Sequence, residues 1–110
     1  MTILSRRTAI SALAAAPLAI VIGRPAQAAT HHVTIKGFQY HPPALEVAVG
    51  DRVVFTNQDS TPHTATALFK RWDTAQLGRG KSAKIVISSA GDHSYYCRPH
   101  PAMKGIIWAV

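Results

Sequence analysis

The chain holds one cysteine, and it opens the run Cys97-Arg98-Pro99-His100-Pro101-Ala102-Met103. Thiolate, imidazole and thioether recur there at every third residue, a C-x2-H-x2-M loop short enough to wrap a single metal ion. A further imidazole lies more than thirty residues upstream, in Thr61-Pro62-His63-Thr64. Two imidazoles and a thiolate make a trigonal copper site, and a thioether suits its long, weak axial position. His63, Cys97, His100 and Met103 are therefore the expected ligands of one type 1 copper ion. Any fold that uses them must carry His63 back across the chain to the 97–103 loop.

Each ligand has a plainer reading. A lone cysteine is ordinarily a small buried hydrophobe, and a methionine ordinarily fills a gap in a core. A thiolate beside an imidazole can also be an activated nucleophile, but no orienting carboxamide or oxyanion loop accompanies this pair. The spacing of all four donors favours metal. His93 shares strand parity with Cys97, yet four strand residues span about 13 Å, so a core histidine with one hydrogen bond is expected. His41, beside Pro42 and Pro43, is expected in a solvated loop.

Residues 1–28 have the three parts of an export signal. Arg6 and Arg7 follow Ser5, an apolar alanine-rich stretch runs from Thr8 to Gly23, and Ala26-Gln27-Ala28 offers small residues for cleavage. The apolar stretch is too short and too weakly hydrophobic for a membrane anchor, so no stable insertion is expected after cleavage. The paired arginines suggest the twin-arginine route. Periplasmic localisation follows from this reading. Cleavage would leave residues 29–110 as one small domain, whose core is marginal alone and would gain from a bound metal. It would also make Ala29-Thr30-His31 the new terminus. An amine, two amides and an imidazole can enclose Cu(II) in a square plane, so a second copper site there is a hypothesis.

A free exposed thiol would be oxidised outside the cytoplasm, and copper ligation explains how Cys97 persists. Within 29–110 the cations are Lys36, Arg52, Lys70, Arg71, Arg79, Lys81, Lys84, Arg98 and Lys104, against Glu46, Asp51, Asp59, Asp73 and Asp92. This excess favours acidic protein partners and fast encounter. No basic cluster is interleaved with aromatics, so nucleic acid is not expected.

Short β-rich runs separated by turn residues predict an all-β antiparallel sandwich or barrel. Expected strands cover His32–Lys36, the alternating Leu45, Val47 and Val49, then Val53–Asn57, His63–Leu68, Lys84–Ser88, Ser94–Cys97 and Ile106–Val110. Gly50-Asp51, Gln58-Asp59-Ser60 and Gly78–Lys81 read as turns, and Phe69–Leu77 as irregular.

Gly37-Phe38-Gln39-Tyr40 with Pro43, Leu45, Val47, Gly50-Asp51, Val53, Phe55, Asn57 and Asp59 resembles the opening half of bacterial cupredoxins. Pro62-His63-Thr64 and Tyr96-Cys97 with His100-Pro101 and Met103-Lys104-Gly105 resemble their copper-binding half. The short loop is similar to that of amicyanins. The resemblance implies a Greek-key β-sandwich with copper near one end and a one-electron shuttle, not an enzyme. It implies His63 and His100 as imidazole ligands, Cys97 as thiolate and Met103 as axial thioether. It also implies electron exit at the edge of His100, with Pro99, Pro101 and Ala102 in an apolar docking patch. Three departures stand out: Thr64 replaces an asparagine, His93 replaces a tyrosine, and the domain is short enough to reduce an edge strand.

The function expected is a periplasmic blue-copper electron carrier, a monomer whose redox partner proteins are acidic at the docking surface. The alternative is a periplasmic copper carrier or resistance protein that passes on the ion itself.

Overall fold

A computed structural model of the chain describes residues 28–110. The expected export signal lies outside the described residues except for Ala28. Eight strands are described: β1 (Thr30–Lys36), β2 (Gln39–His41), β3 (Ala44–Val47), β4 (Arg52–Asn57), β5 (Thr66–Ala67), β6 (Ser82–Val86), β7 (Gly91–Tyr96) and β8 (Lys104–Ala109). They form two four-stranded sheets, ordered β2-β1-β4-β6 and β3-β8-β7-β5. The all-β sandwich expectation holds.

Period-two alternation decides which side chains lie between the sheets. In β4, Val53, Phe55 and Asn57 are buried while Arg52, Val54 and Thr56 are half-exposed. Val33, Ile35, Val53, Phe55 and Ile85 from one sheet meet Val47, Tyr95, Ile107 and Ala109 from the other. Aromatic rings fill the middle, with Tyr40 and Tyr95 centroids 4.7 Å apart, Phe55 and Tyr95 5.4 Å, and Phe55 and Trp72 5.7 Å. Gly105, opposite Tyr95 across β7 and β8, leaves the space that the phenol ring occupies; a Cβ there would collide with it.

Several sequence expectations need correction. The sandwich is not wholly antiparallel, because β1 pairs with β4 and β3 with β8 in parallel. The chain crosses to the second sheet at β3 and returns, so β1 and β4 run the same way. Val49 does not continue the buried face of β3. It is 44% exposed, in the turn where Ala48 O accepts Asp51 N–H at 3.0 Å. The strand expected over His63–Leu68 shrinks to Thr66–Ala67, because His63 pairs with Leu77 through two backbone bonds of 3.1 and 2.8 Å. That two-residue β5 lies at the edge of its sheet. The Lys84–Ser88 strand lies two residues earlier, and Cys97 sits just past the end of β7.

Candidate metal centre

The 97–103 loop is built from consecutive three-residue turns. Cys97 O accepts His100 N–H at 3.2 Å, His100 O accepts Met103 N–H at 2.9 Å, and Cys97 N–H donates to Met103 O at 3.1 Å. Pro99 and Pro101 fall where no N–H is called on, and their fixed φ stiffens the turns. The two-residue spacing of the donors is the spacing of these turns.

His63 reaches the same place from a different direction. Its backbone bridge to Leu77 fixes the segment, and Asn57 shapes the approach. The buried Asn57 amide donates to Thr61 O at 3.0 Å and Leu77 O at 2.8 Å, while its Oδ1 accepts Asp59 N–H at 2.9 Å. Such a fully satisfied buried amide specifies one loop conformation.

His63, Cys97 and His100 converge, their ligand atoms lying within 4.8 Å of one another. Cys97 Sγ is 3.7 Å from His63 Nδ1 and 3.6 Å from His100 Nδ1. A trigonal ion with bonds of about 2.0–2.3 Å needs nitrogen–sulfur edges of about 3.8 Å, so these residues fit a metal. His63 and Cys97 are fully buried, and His100 is half-buried. Met103 is buried and closes the loop. Among the described residues no other His/Cys/Asp/Glu group gathers in this way.

Thr64, where the resemblance led one to look for an asparagine, ties the two ligand segments together. Its Oγ1 accepts Arg98 N–H at 3.0 Å, and its N–H points at Cys97 Sγ at 3.4 Å. Tyr40 OH bonds Thr64 O at 2.5 Å. Burial chiefly, and then the neighbouring Cys97 and Tyr95, hold the Tyr40 phenol well above its ordinary range, so it stays protonated as a donor.

Sequence reasoning assigned Asp59 to a turn and gave Phe38 no role at the site. The β1–β2 hairpin turns on Gly37 and Phe38 with φ of 62° and 59°, the geometry of a type I′ turn. A positive φ is uncommon for a bulky side chain. Asp59 holds this one by accepting Gly37 N–H at 2.8 Å and Phe38 N–H at 3.0 Å. The Phe38 ring then stands edge-on to His63 and His100, with centroids at 4.9 and 5.0 Å. The second Asp59 oxygen lies 2.8 Å from His63 Nε2. The two backbone donors, Phe38 first, and the His63 bond keep the Asp59 carboxyl below its usual range. The signal in the sequence was an acidic residue four before the ligand histidine; nothing local links it to Gly37.

His93 is a buried core residue, as expected, but makes two bonds rather than one. Trp72 Nε1–H donates to its Nδ1 at 3.1 Å, and its Nε2 lies 2.7 Å from Ser89 O. His41 is exposed and lies at the end of β2, with Nε2 3.1 Å from Lys36 O. In the uncleaved chain the donors of the 29–31 segment turn to Asp51 and to β4. Ala29 N and His31 Nε2 both bond Asp51 at 2.9 Å, and Thr30 and His31 in β1 pair with Arg52 and Val53 in β4.

Known proteins resemble this chain in sequence and fold. A family model described as a cupredoxin-like domain matches residues 8–109. An amicyanin of Paracoccus denitrificans is 31% identical over 66% of this chain, and the match spans only 60% of that relative's own length. Amicyanin-alpha of Methylorubrum extorquens is 28% identical over 89% of this chain and 85% of its own. A purple cupredoxin from Nitrosopumilus maritimus superposes with a TM-score of 0.69 at 26% identity, covering 73% of this chain and 99% of that one.

Proposed function

The chain belongs to the cupredoxin-like family and is amicyanin-like, and from that premise we propose that it is a periplasmic blue-copper electron carrier. The observation that carries the reading is the triangle of His63 Nδ1, Cys97 Sγ and His100 Nδ1. Copper bound there supplies a one-electron Cu(II)/Cu(I) couple. The buried Met103, which closes the loop, would add a thioether to the set that holds the ion.

The chain's own residues do the rest. The turns of the 97–103 loop and the Thr64 tie hold the donors in place, so little rearrangement accompanies electron transfer. Phe38 covers two imidazoles and keeps water from the buried side. With every strong position filled by protein, no place is left for a substrate, which favours a carrier over an enzyme. The half-buried His100 between Pro99 and Pro101 serves as the electron's exit. The basic surface steers partners that are acidic where they dock, and weak redox encounters use small interfaces.

Copper loading tests this. The parent should bind one copper per chain and develop intense absorption near about 600 nm from thiolate–copper charge transfer. Cys97→Ser should lose that band. A colourless Cu(II) complex of the parent would instead support a protein that carries copper as cargo.

A further inference from the structure

Asp59 joins three things that lie apart in the sequence. One oxygen takes the Gly37 N–H, and the other takes the Phe38 N–H and faces His63 Nε2 at 2.8 Å. His63 is fully buried and the Asp59 side chain is only 15% exposed. Since His63 Nδ1 faces Cys97 Sγ, the ring proton belongs on Nε2 and is donated to the carboxylate. Two backbone donors hold that carboxylate from behind, so it cannot swing away from the imidazole.

We infer that Asp59 is a positioning residue that sets the reduction potential of the site through His63 while fastening the Phe38 cover over it. A carboxylate on the far nitrogen of a ligating imidazole fixes its tautomer and raises its basicity. The oxidised site carries one more positive charge than the reduced one. A fixed negative charge in these half-dry surroundings, where Coulomb interactions are strong, therefore favours the oxidised state and lowers the potential. No atom or proton moves in this account; only the equilibrium for adding one electron shifts. The same carboxylate pins the hairpin, so charge and cover are coupled in one residue.

This inference rests on the copper reading, and the tests separate the two. In copper-loaded Asp59→Asn the uncharged amide keeps one acceptor oxygen, so it can no longer accept from Gly37 as well as from Phe38 and His63. The reduced-to-oxidised ratio at a fixed solution potential should rise at least tenfold, which is about 59 mV for one electron. Asp59→Glu, which keeps the charge, should recover part of that shift. Phe38→Leu, which removes the ring and leaves the carboxylate, should shift the ratio less than Asp59→Asn does. An unchanged ratio in Asp59→Asn, or an equal shift in Phe38→Leu, would overturn the inference. Failure of the parent to bind copper would overturn the functional reading instead. If Asp59→Asn does not fold, nitrogen NMR of the metal-free parent decides. His63 should be protonated at Nε2 with slowed exchange of that proton, and protonation at Nδ1 alone would overturn the inference.

Discussion

The backbone N–H of Thr64 points at Cys97 Sγ across 3.4 Å, so the residue after one ligand is bonded to the next. Its hydroxyl extends the tie. Thr66 Oγ1 donates to Asp73 at 2.9 Å, leaving it to accept from Thr64 Oγ1 at 3.0 Å. Thr64 Oγ1 in turn accepts Arg98 N–H, and Arg98 pairs with Asp73 at 3.0 Å. The circuit runs from one ligand segment to the other and back, through three side-chain contacts and the Arg98 backbone N–H.

Thr64→Val keeps the shape and removes the hydroxyl, leaving Arg98 N–H without its acceptor. Losing the partner of a buried donor costs about 1–3 kcal/mol, and this part-buried one should fall at the low end. Chemical denaturation should show that loss, and the visible band of the copper form should move as the Cys97 loop relaxes. Parental stability and an unmoved band would show the circuit to be incidental.

His93→Leu should weaken the fold without touching the metal. It strands the Trp72 indole N–H and the Ser89 carbonyl, both bonded to the imidazole in the parent, again at about 1–3 kcal/mol. Copper stoichiometry and the visible spectrum should stay as in the parent. Loss of copper binding would mean that His93 reaches the ion, against its place in the core.

Acid should unfold the protein partly through Asp51. That carboxylate accepts from His31 Nε2, Ala29 N and Ala48 N, and these bonds, the His31 one largest, lower its pKa from 3.8 to about 2. In the unfolded chain it takes a proton near about 3.9. Below that pH the unfolded state binds the proton first, so stability present above about 3.9 is lost as pH falls towards about 2. Urea midpoints across this window should fall in the parent and fall less steeply in Asp51→Asn. Equal slopes would remove Asp51 from the acid response.

Much of the fold was legible in particular residues. Val53 and Phe55 alternate with half-exposed neighbours, and their strand lies where the pattern put it. Gly78–Lys81 is a turn, with Lys81 N–H bonded to Gly78 O at 3.0 Å. His63 was read as the start of a strand because β-formers follow it, yet a two-bond bridge to Leu77 holds it outside any strand. Propensity could not see that bridge, because the partner is a loop residue. The parallel pairing of β1 with β4 was equally hidden, since alternation reports which face is apolar and not which way a neighbour runs.

The sequence by itself determined the donor chemistry. One cysteine, a histidine and a methionine at three-residue steps, with prolines between, specify a tight loop from neighbouring residues alone. Tertiary structure decided what those donors meet: His63 arriving from 34 positions away, Thr64 bonded to Arg98, and Asp59 reaching back 22 residues to Gly37. Turn chemistry and side-chain period act over a few residues, so they are written locally. Hydrogen bonds between distant segments depend on how the two sheets pack, and only the whole buried core determines that.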